Sequence, residues 1–229
     1  MKWISDLIDL ILPRYCAVCG HILSASEKHI CLNCLCAMPT IEPLRRKEIE
    51  KIFWGIIPVE KASSYIYYRK GSPFNNLLHL AKYKNRPDTA EYLARIAATE
   101  LAAEGFFDGI DAIIPLPLSK KKERKRGYNQ CDYIARGLSR VSGIPIIKGC
   151  VARTVANETQ THKNRDERWK NVEGIFAVSK PDALQGKHLL LVDDVLTTGA
   201  TLAGCAKSIA AVPGTRISLF TLAYSYNEV

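Results

Sequence analysis

Short apolar runs alternate along the chain with stretches whose apolar residues recur every three or four positions, the two periods of strand and helix. Leu189, Leu190, Leu191 and Val192 form an unbroken apolar run, the mark of a parallel strand covered on both faces. The run meets two acids, Asp193 and Asp194, then a short Thr/Gly loop, and residues 202–210 resume helical spacing. Residues 111–118 predict a second strand stopped by its own prolines, residues 144–148 a third, and the β-type composition of residues 62–68 a fourth. Helices are predicted over 44–51, 74–82, 89–104 and 130–142, and Trp3, Leu7, Leu10 and Ile11 space as a short amphipathic helix. Residues 154–174 are very polar without sustained periodicity and predict a long mobile loop. Helices alternating with short apolar strands imply an α/β fold on a parallel sheet.

The junction at residues 193–201 carries the most chemistry. In open α/β sheets ligands bind beyond the carboxyl ends of the strands. Backbone N–H groups opening the following helix, with the hydroxyls of Thr197, Thr198 and Thr201, suit a phosphate that the helix dipole favours. Adjacent carboxylates repel phosphate but suit sugar hydroxyls or a hydrated Mg²⁺. Together they describe a site for a 5′-phosphorylated ribose. The segment resembles the phosphoribosyl-pyrophosphate loop of type I phosphoribosyltransferases. That resemblance implies Asp193 and Asp194 on the ribose 2′ and 3′ hydroxyls and Thr197, Thr198, Gly199, Ala200 and Thr201 around the 5′-phosphate, with Val195 and Leu196 in the same PRPP-binding segment. A P-loop ATPase strand also ends in acids, yet no G-x-x-x-x-G-K-[ST] occurs in the chain. A response-regulator pocket would put its acids on the first strand. A plain turn explains Gly199 and leaves both acids without a task.

The 229 residues suffice for one core with a small appended module, and a formal charge of +9 points to polyanionic ligands. No apolar run approaches the ~18 residues of a membrane span. Asp6 and Asp9 interrupt the apolar N-terminus, and Pro13-Arg14-Tyr15 replaces a small-residue cleavage site, so the chain reads as cytoplasmic. Five of the eight cysteines fall within residues 16–36. Cys16-Ala-Val-Cys19 and Cys31-Leu-Asn-Cys34 are two C-x-x-C knuckles eleven residues apart, suited to four thiolates on one structural Zn²⁺. A disulfide framework conflicts with a reducing compartment, and redox C-x-x-C motifs do not usually come doubled. Cys36, His21 and His29 are bystanders. With all four positions filled, the ion has no open site for catalysis.

Six cations lie between Lys120 and Arg126, after one predicted strand and before a helix. Beside a ribose-phosphate site, cations or backbone donors would stabilise a departing pyrophosphate. Pro117, Leu118, Arg124 and Arg126 are the candidates there, with Arg126 foremost. A solvated basic loop or a nucleic-acid patch is the competing reading.

Cys16, Cys19, Cys31 and Cys34, then Lys82-Tyr-Lys84, then Pro115-Leu-Pro117 with Arg126-Gly-Tyr-Asn-Gln130, then Gln160, Arg168, Asn171 and Phe176, then Asp193 to Thr201, follow one another in an order similar to the ComF family of bacterial competence-related proteins, in its ComFC-like, phosphoribosyltransferase-like branch. The resemblance spans nearly the whole chain. It implies a helix plus zinc-knuckle module over 1–44 and a type I phosphoribosyltransferase domain over 45–229, whose parallel sheet binds phosphoribosyl pyrophosphate (PRPP) with Mg²⁺. Arg165 and Arg168 would then sit on a closing loop. His162-Lys163 and Asn85-Arg86 depart from the family pattern, where Gly-Leu and Gly are common. Three expectations follow: a phosphoribosyltransferase with an unidentified acceptor; a non-catalytic PRPP-pocket protein acting in DNA uptake or recombination through partners; or a module binding single-stranded DNA.

Overall fold

The computed structural model describes residues 13–83, 86–154 and 174–225. The expected N-terminal amphipathic helix, Lys84, and the loop residues Gln160, His162, Arg165, Arg168 and Asn171 lie outside them. In chain order the elements are α1 (Leu32–Cys36), α2 (Pro43–Glu50), a 3-10 turn (Lys51–Phe53), β1 (Lys61–Tyr68), α3 (Asn75–Tyr83), α4 (Asp88–Ala103), β2 (Ala112–Pro115), α5 (Lys120–Arg126), α6 (Gln130–Ser142), β3 (Val151–Arg153), β4 (Phe176–Val178), a second 3-10 turn (Pro181–Ala183), β5 (His188–Leu196), α7 (Ala200–Ala210) and β6 (Arg216–Ser225). The sheet runs β1-β6-β5-β2 and every pairing in it is parallel.

Alternation along the strands feeds two cores. Ile113, Leu190, Val192, Phe220 and Leu222 face one, shared with Leu77 of α3, Leu93 of α4 and Ile134 of α6. Ile114, Leu189, Leu191, Ile217 and Leu219 face the other, closed by Ile49, Phe53, Leu202 and Phe176. Coverage on both sides is why 189–192 is uniformly apolar. Each such side chain, fully buried, contributes roughly 1.5–3 kcal/mol. Gly137 lets α6 approach α4 closely, since a Cβ there would stand 2.5 Å from the Glu91 carbonyl oxygen.

Several elements differ from expectation. β5 continues through both acids to Leu196, pairing Asp193 with Thr221 and Leu196 with Tyr224 of β6. The basic run is a helix rather than a loop: Ser119 Oγ accepts from Lys122 N, and Gly127 ends it at φ 78°. Residues 144–148 reduce to a single bridge, Ile146 to Ile113, because Pro145 has no N–H with which to extend the ladder. β6 has no counterpart among the predicted elements. Its Ser218 and Thr221 break the apolar run, yet both are buried, against His188 Nε2 (2.8 Å) and Ser64 Oγ (2.5 Å). The flanks of the expected loop form the antiparallel pair β3–β4, and Thr154 N donates to Ile175 O at 2.7 Å, drawing its two ends together. Among the described residues no helix is long and apolar enough to cross a membrane.

Candidate functional site

Both acids stand at the carboxyl end of β5, beside the end of β2. Beyond them Gly199, at φ 78°, precedes the first residue of α7. A Cβ on Gly199 would lie 2.9 Å from Phe53 Cε1 and 3.3 Å from Ile52 Cγ2, so the 3-10 turn packs directly under the loop. Glycine meets both the positive φ and the close approach. Thr197 is exposed, Thr198 and Thr201 are half-buried, and Thr198 Oγ1 accepts from Ala200 N at 3.4 Å. Leu196 and Ala200 are buried, so only their backbone groups can meet a ligand; Val195 packs partly against the core.

The start of α6 faces the two carboxylates. Asn129 caps this helix, its Oδ1 accepting from Cys131 N, and ties itself to the end of β2 by donating to Leu116 O at 2.9 Å. Gln130 is thereby aimed at Asp194 and donates through Nε2 to Oδ2 at 2.8 Å. Lys82, at the end of α3, places Nζ 3.0 Å from the same oxygen. Burial opposes the Lys82 charge, but Asp194, and Asp193 behind it, outweigh burial and raise its pKa. Asp193 Oδ1 accepts from the amide of Asp194 (2.8 Å) and from the Cys131 thiol (3.4 Å). Its Oδ2 takes no hydrogen bond from the described residues. Desolvation, then the neighbouring charge of Asp194, raises the Asp193 carboxyl to about 7. Burial, then the same acids, pushes the Cys131 thiol well above its ordinary value.

The basic helix α5 stands across from this pair. Arg126 donates through Nη1 to Gln130 Oε1 at 2.7 Å and stacks over the Tyr83 ring at 5.1 Å. Gln130 therefore links a cation of α5 to an acid of β5. Arg124 is exposed on the same helix, while Pro117 and Leu118 are half-buried in the turn before it. Between α5 and the end of α3 lies a cavity of about 440 Å³, lined by Lys82, Tyr83, Lys122, Lys125, Arg126 and Tyr128. Arg153 of β3 completes the surroundings. Among the described residues its Nε is buried without a hydrogen-bond partner, burial lowers its pKa, and Asp193 works against that fall. The motifs point to neither Arg153 nor Lys122. Arg153 lies at the edge of a polar stretch with no periodicity, and Lys122 is one of six cations between 120 and 126.

In the N-terminal part, the sulfurs of Cys16, Cys19, Cys31 and Cys34 all lie within 4.8 Å of one another and could hold a metal ion. A tetrahedral Zn²⁺ with bonds of about 2.3 Å sets its sulfurs about 3.8 Å apart. Cys19 and Cys31 stand at 3.8 Å. Burial opposes the Cys16 thiolate, but backbone N–H groups of Cys19, Cys31 and Val18 lower it to about 6. Cys36 is exposed and lies outside the cluster, and His29 instead meets Arg86 and Asp88. The structure thus brings Asp193, Asp194, Gln130, Lys82 and Arg126 together. Arg165 and Arg168 lie outside the described residues.

No profile of a known protein family matches the chain. It is 32% identical over 213 residues to the DNA utilization protein YhgH of Salmonella typhi, covering 86% of this chain and 91% of that one. It is 30% identical over 214 residues to competence protein F of Haemophilus influenzae, covering 91% of this chain and 84% of that one. Among solved structures, the glutamine phosphoribosylpyrophosphate amidotransferase of B. subtilis aligns at a TM-score of 0.38 and 18% identity, over 58% of this chain and a quarter (25%) of its own.

Proposed function

We propose, from the premise that the chain belongs to the ComF family, that it binds PRPP with Mg²⁺ at the carboxyl ends of β2 and β5 and transfers ribose 5-phosphate to an acceptor. The observation that carries this reading is the pair Asp193–Asp194 on β5, followed at once by the Gly199 turn that opens α7. In this reading Asp193 Oδ2 and Asp194 accept from the ribose hydroxyls. The N–H groups of residues 197–201 and the Thr hydroxyls take the 5′-phosphate. Arg126, with Arg124, Pro117 and Leu118 nearby, faces the leaving pyrophosphate, whose charge Mg²⁺ would share when bound. As the bond at C1 breaks, positive charge grows on the sugar. Asp193 and Asp194 stabilise it, and the fixed geometry saves the entropy of bringing the reactants together. Arg165 and Arg168 belong to a segment that would exclude water by closing. Cys16, Cys19, Cys31 and Cys34 hold a structural Zn²⁺.

Calorimetry with PRPP and saturating Mg²⁺ tests the reading: binding to the wild type and none to Asp193→Asn/Asp194→Asn is expected, with pyrophosphate released on turnover. No heat from the wild type overturns it. The names of the relatives, which speak of DNA utilization and competence and of no transferase, favour a second reading. In it the same pocket binds PRPP without turnover, and the chain acts in DNA uptake or recombination through protein or single-stranded DNA partners. Binding without pyrophosphate release across a broad acceptor panel would support it.

A further inference from the structure

The cavity between α3 and α5 is more cationic, and more aromatic, than a departing pyrophosphate requires. Among the described residues Lys82, Lys122, Lys125 and Arg126 line it and no acid does. Lys82 is already matched by Asp194, and Arg126 by the neutral Gln130. Among the described residues neither Lys122 nor Lys125 makes an ion pair. Lys122 also feels burial first and then Arg153, Arg126 and Lys82, all of which lower its pKa. Like charges crowded without counterions destabilise a fold unless a ligand neutralises them. The rest of the wall is apolar: the rings of Tyr83 and Tyr128 and the methylene stems of the lysines. Inorganic pyrophosphate has no surface that uses rings. At about 440 Å³ the space falls in the range of ~300–1,000 Å³ typical of small-molecule pockets. It also shares Lys82 with the acid pair, so an occupant would lie beside a ribose held there.

We infer that this cavity takes the second substrate, a planar ring carrying an anionic group, and so selects against neutral bases. The inference rests on the PRPP reading for its place in the reaction, but the cavity's preference can be measured without PRPP. The anion could be a carboxylate on the ring or a phosphate on an attached sugar, and both would meet Lys122 and Lys125 by charge while the ring lies against tyrosine. Rings stacked on Arg126 or Tyr83 would gain from the cation–π pair already there.

The test is calorimetry on the zinc-loaded full chain with orotate, uracil and uridine 5′-monophosphate, alone and with PRPP and Mg²⁺. Orotate or the monophosphate should bind at least about tenfold more tightly than uracil, a margin one charged contact supplies. Whichever of the two binds more tightly identifies the source of the anion. Lys122→Ala/Lys125→Ala should remove that margin, and Lys122→Arg/Lys125→Arg should keep it. Lys120→Ala/Lys180→Ala, which takes two exposed cations from outside the cavity, should leave it intact. Equal binding of orotate, the monophosphate and uracil overturns the inference even where PRPP binds. Loss of the margin in the Lys120/Lys180 variant overturns it too, by showing that net charge alone attracts the anion. If inorganic pyrophosphate displaces the probe while uracil and orotate bind alike, the cavity is the leaving-group site and the inference fails. Anionic-ring binding that depends on Lys122 and Lys125, in a chain that gives no heat with PRPP, upholds the cavity's preference and overturns the PRPP reading.

Discussion

Lys82 Nζ sits 3.0 Å from Asp194 Oδ2 and gives that largely buried acid its counter-charge. The two lie 112 residues apart and meet because α3 ends over the carboxyl edge of the sheet. Lys82→Met would leave Asp194 with the Gln130 amide as its remaining partner. Removing one member of a part-buried pair should lower stability at neutral pH by about 1–3 kcal/mol. In an Asp194→Asn background the same change should cost almost nothing. A double-mutant cycle by urea unfolding reads the difference, and additive losses would show that the pair contributes nothing.

The Gly199 turn offers a sharper geometric test. Alanine there must adopt φ near 78° and push a methyl against the Phe53 ring. The backbone strain and the contact together should cost about 1–3 kcal/mol. Phe53→Leu should relieve the contact but not the strain, so the double variant recovers only part of the loss, beyond the cost of Phe53→Leu itself. Affinity for PRPP should fall in Gly199→Ala more than in Phe53→Leu, because the amides of residues 197–201 are displaced.

Much of this arrangement was legible in the sequence, and the parts that were not have physical reasons. The run 189–192 announced a strand covered on both faces, and Gln130–Ser142 was bounded as observed because Asn129 and Gly143 are strong caps. The cysteine spacing foretold the cluster. What escaped depends on tertiary pairing. β6 hides its polarity by pairing Ser218 with His188 and Thr221 with Ser64, and such partners are invisible locally. Six cations in seven positions gave no reason to single out Lys122. Arg153 owes its place to a three-residue hairpin arm too short to show a period.

Asp193 should make both affinity and stability depend on pH. Its carboxyl rises from an ordinary 3.8 to about 7 in the folded chain. Between those values the folded state carries the proton more often than the unfolded state does. Stability therefore falls as pH rises from about 4 to about 7, and levels off above. Asp193→Asn should remove this slope and, at pH 8, melt a few degrees above the wild type, since roughly 1 kcal/mol shifts the melting point by about 2–4 °C in a domain of this size. In the proposed reading the Asp193 carboxylate accepts from the ribose hydroxyls, so PRPP affinity should strengthen from pH 6 to pH 8 in the wild type. A flat pH profile of stability in the wild type would contradict the desolvated, acid-flanked setting of the half-buried Asp193.

With Zn²⁺ on the four cysteines and ribose on the acid pair, as proposed, removing the metal should be felt at Asp193 and Asp194. Cys16 and Cys31 are buried in the same core as Leu77, Ala81 and Leu93, together with Leu23, Ile30 and Met38. Asn76 of α3 donates to the Ala17 carbonyl at 2.7 Å, between the two cysteines of the first knuckle. Without an ion, four sulfurs within 4.8 Å of one another would have to keep their protons or repel. The knuckles would then loosen, and α3, which carries both Asn76 and Lys82, would lose its outer support. Chelation should release one Zn²⁺ per chain and lower the melting temperature by on the order of 10 °C. It should also weaken PRPP binding severalfold, through Lys82 rather than through any contact with the metal. Cys31→Ser should reproduce both effects, while Cys36→Ser, exposed and outside the cluster, should reproduce neither. A Cys31→Ser variant that retains zinc and melts with the wild type would remove the metal from this part of the fold.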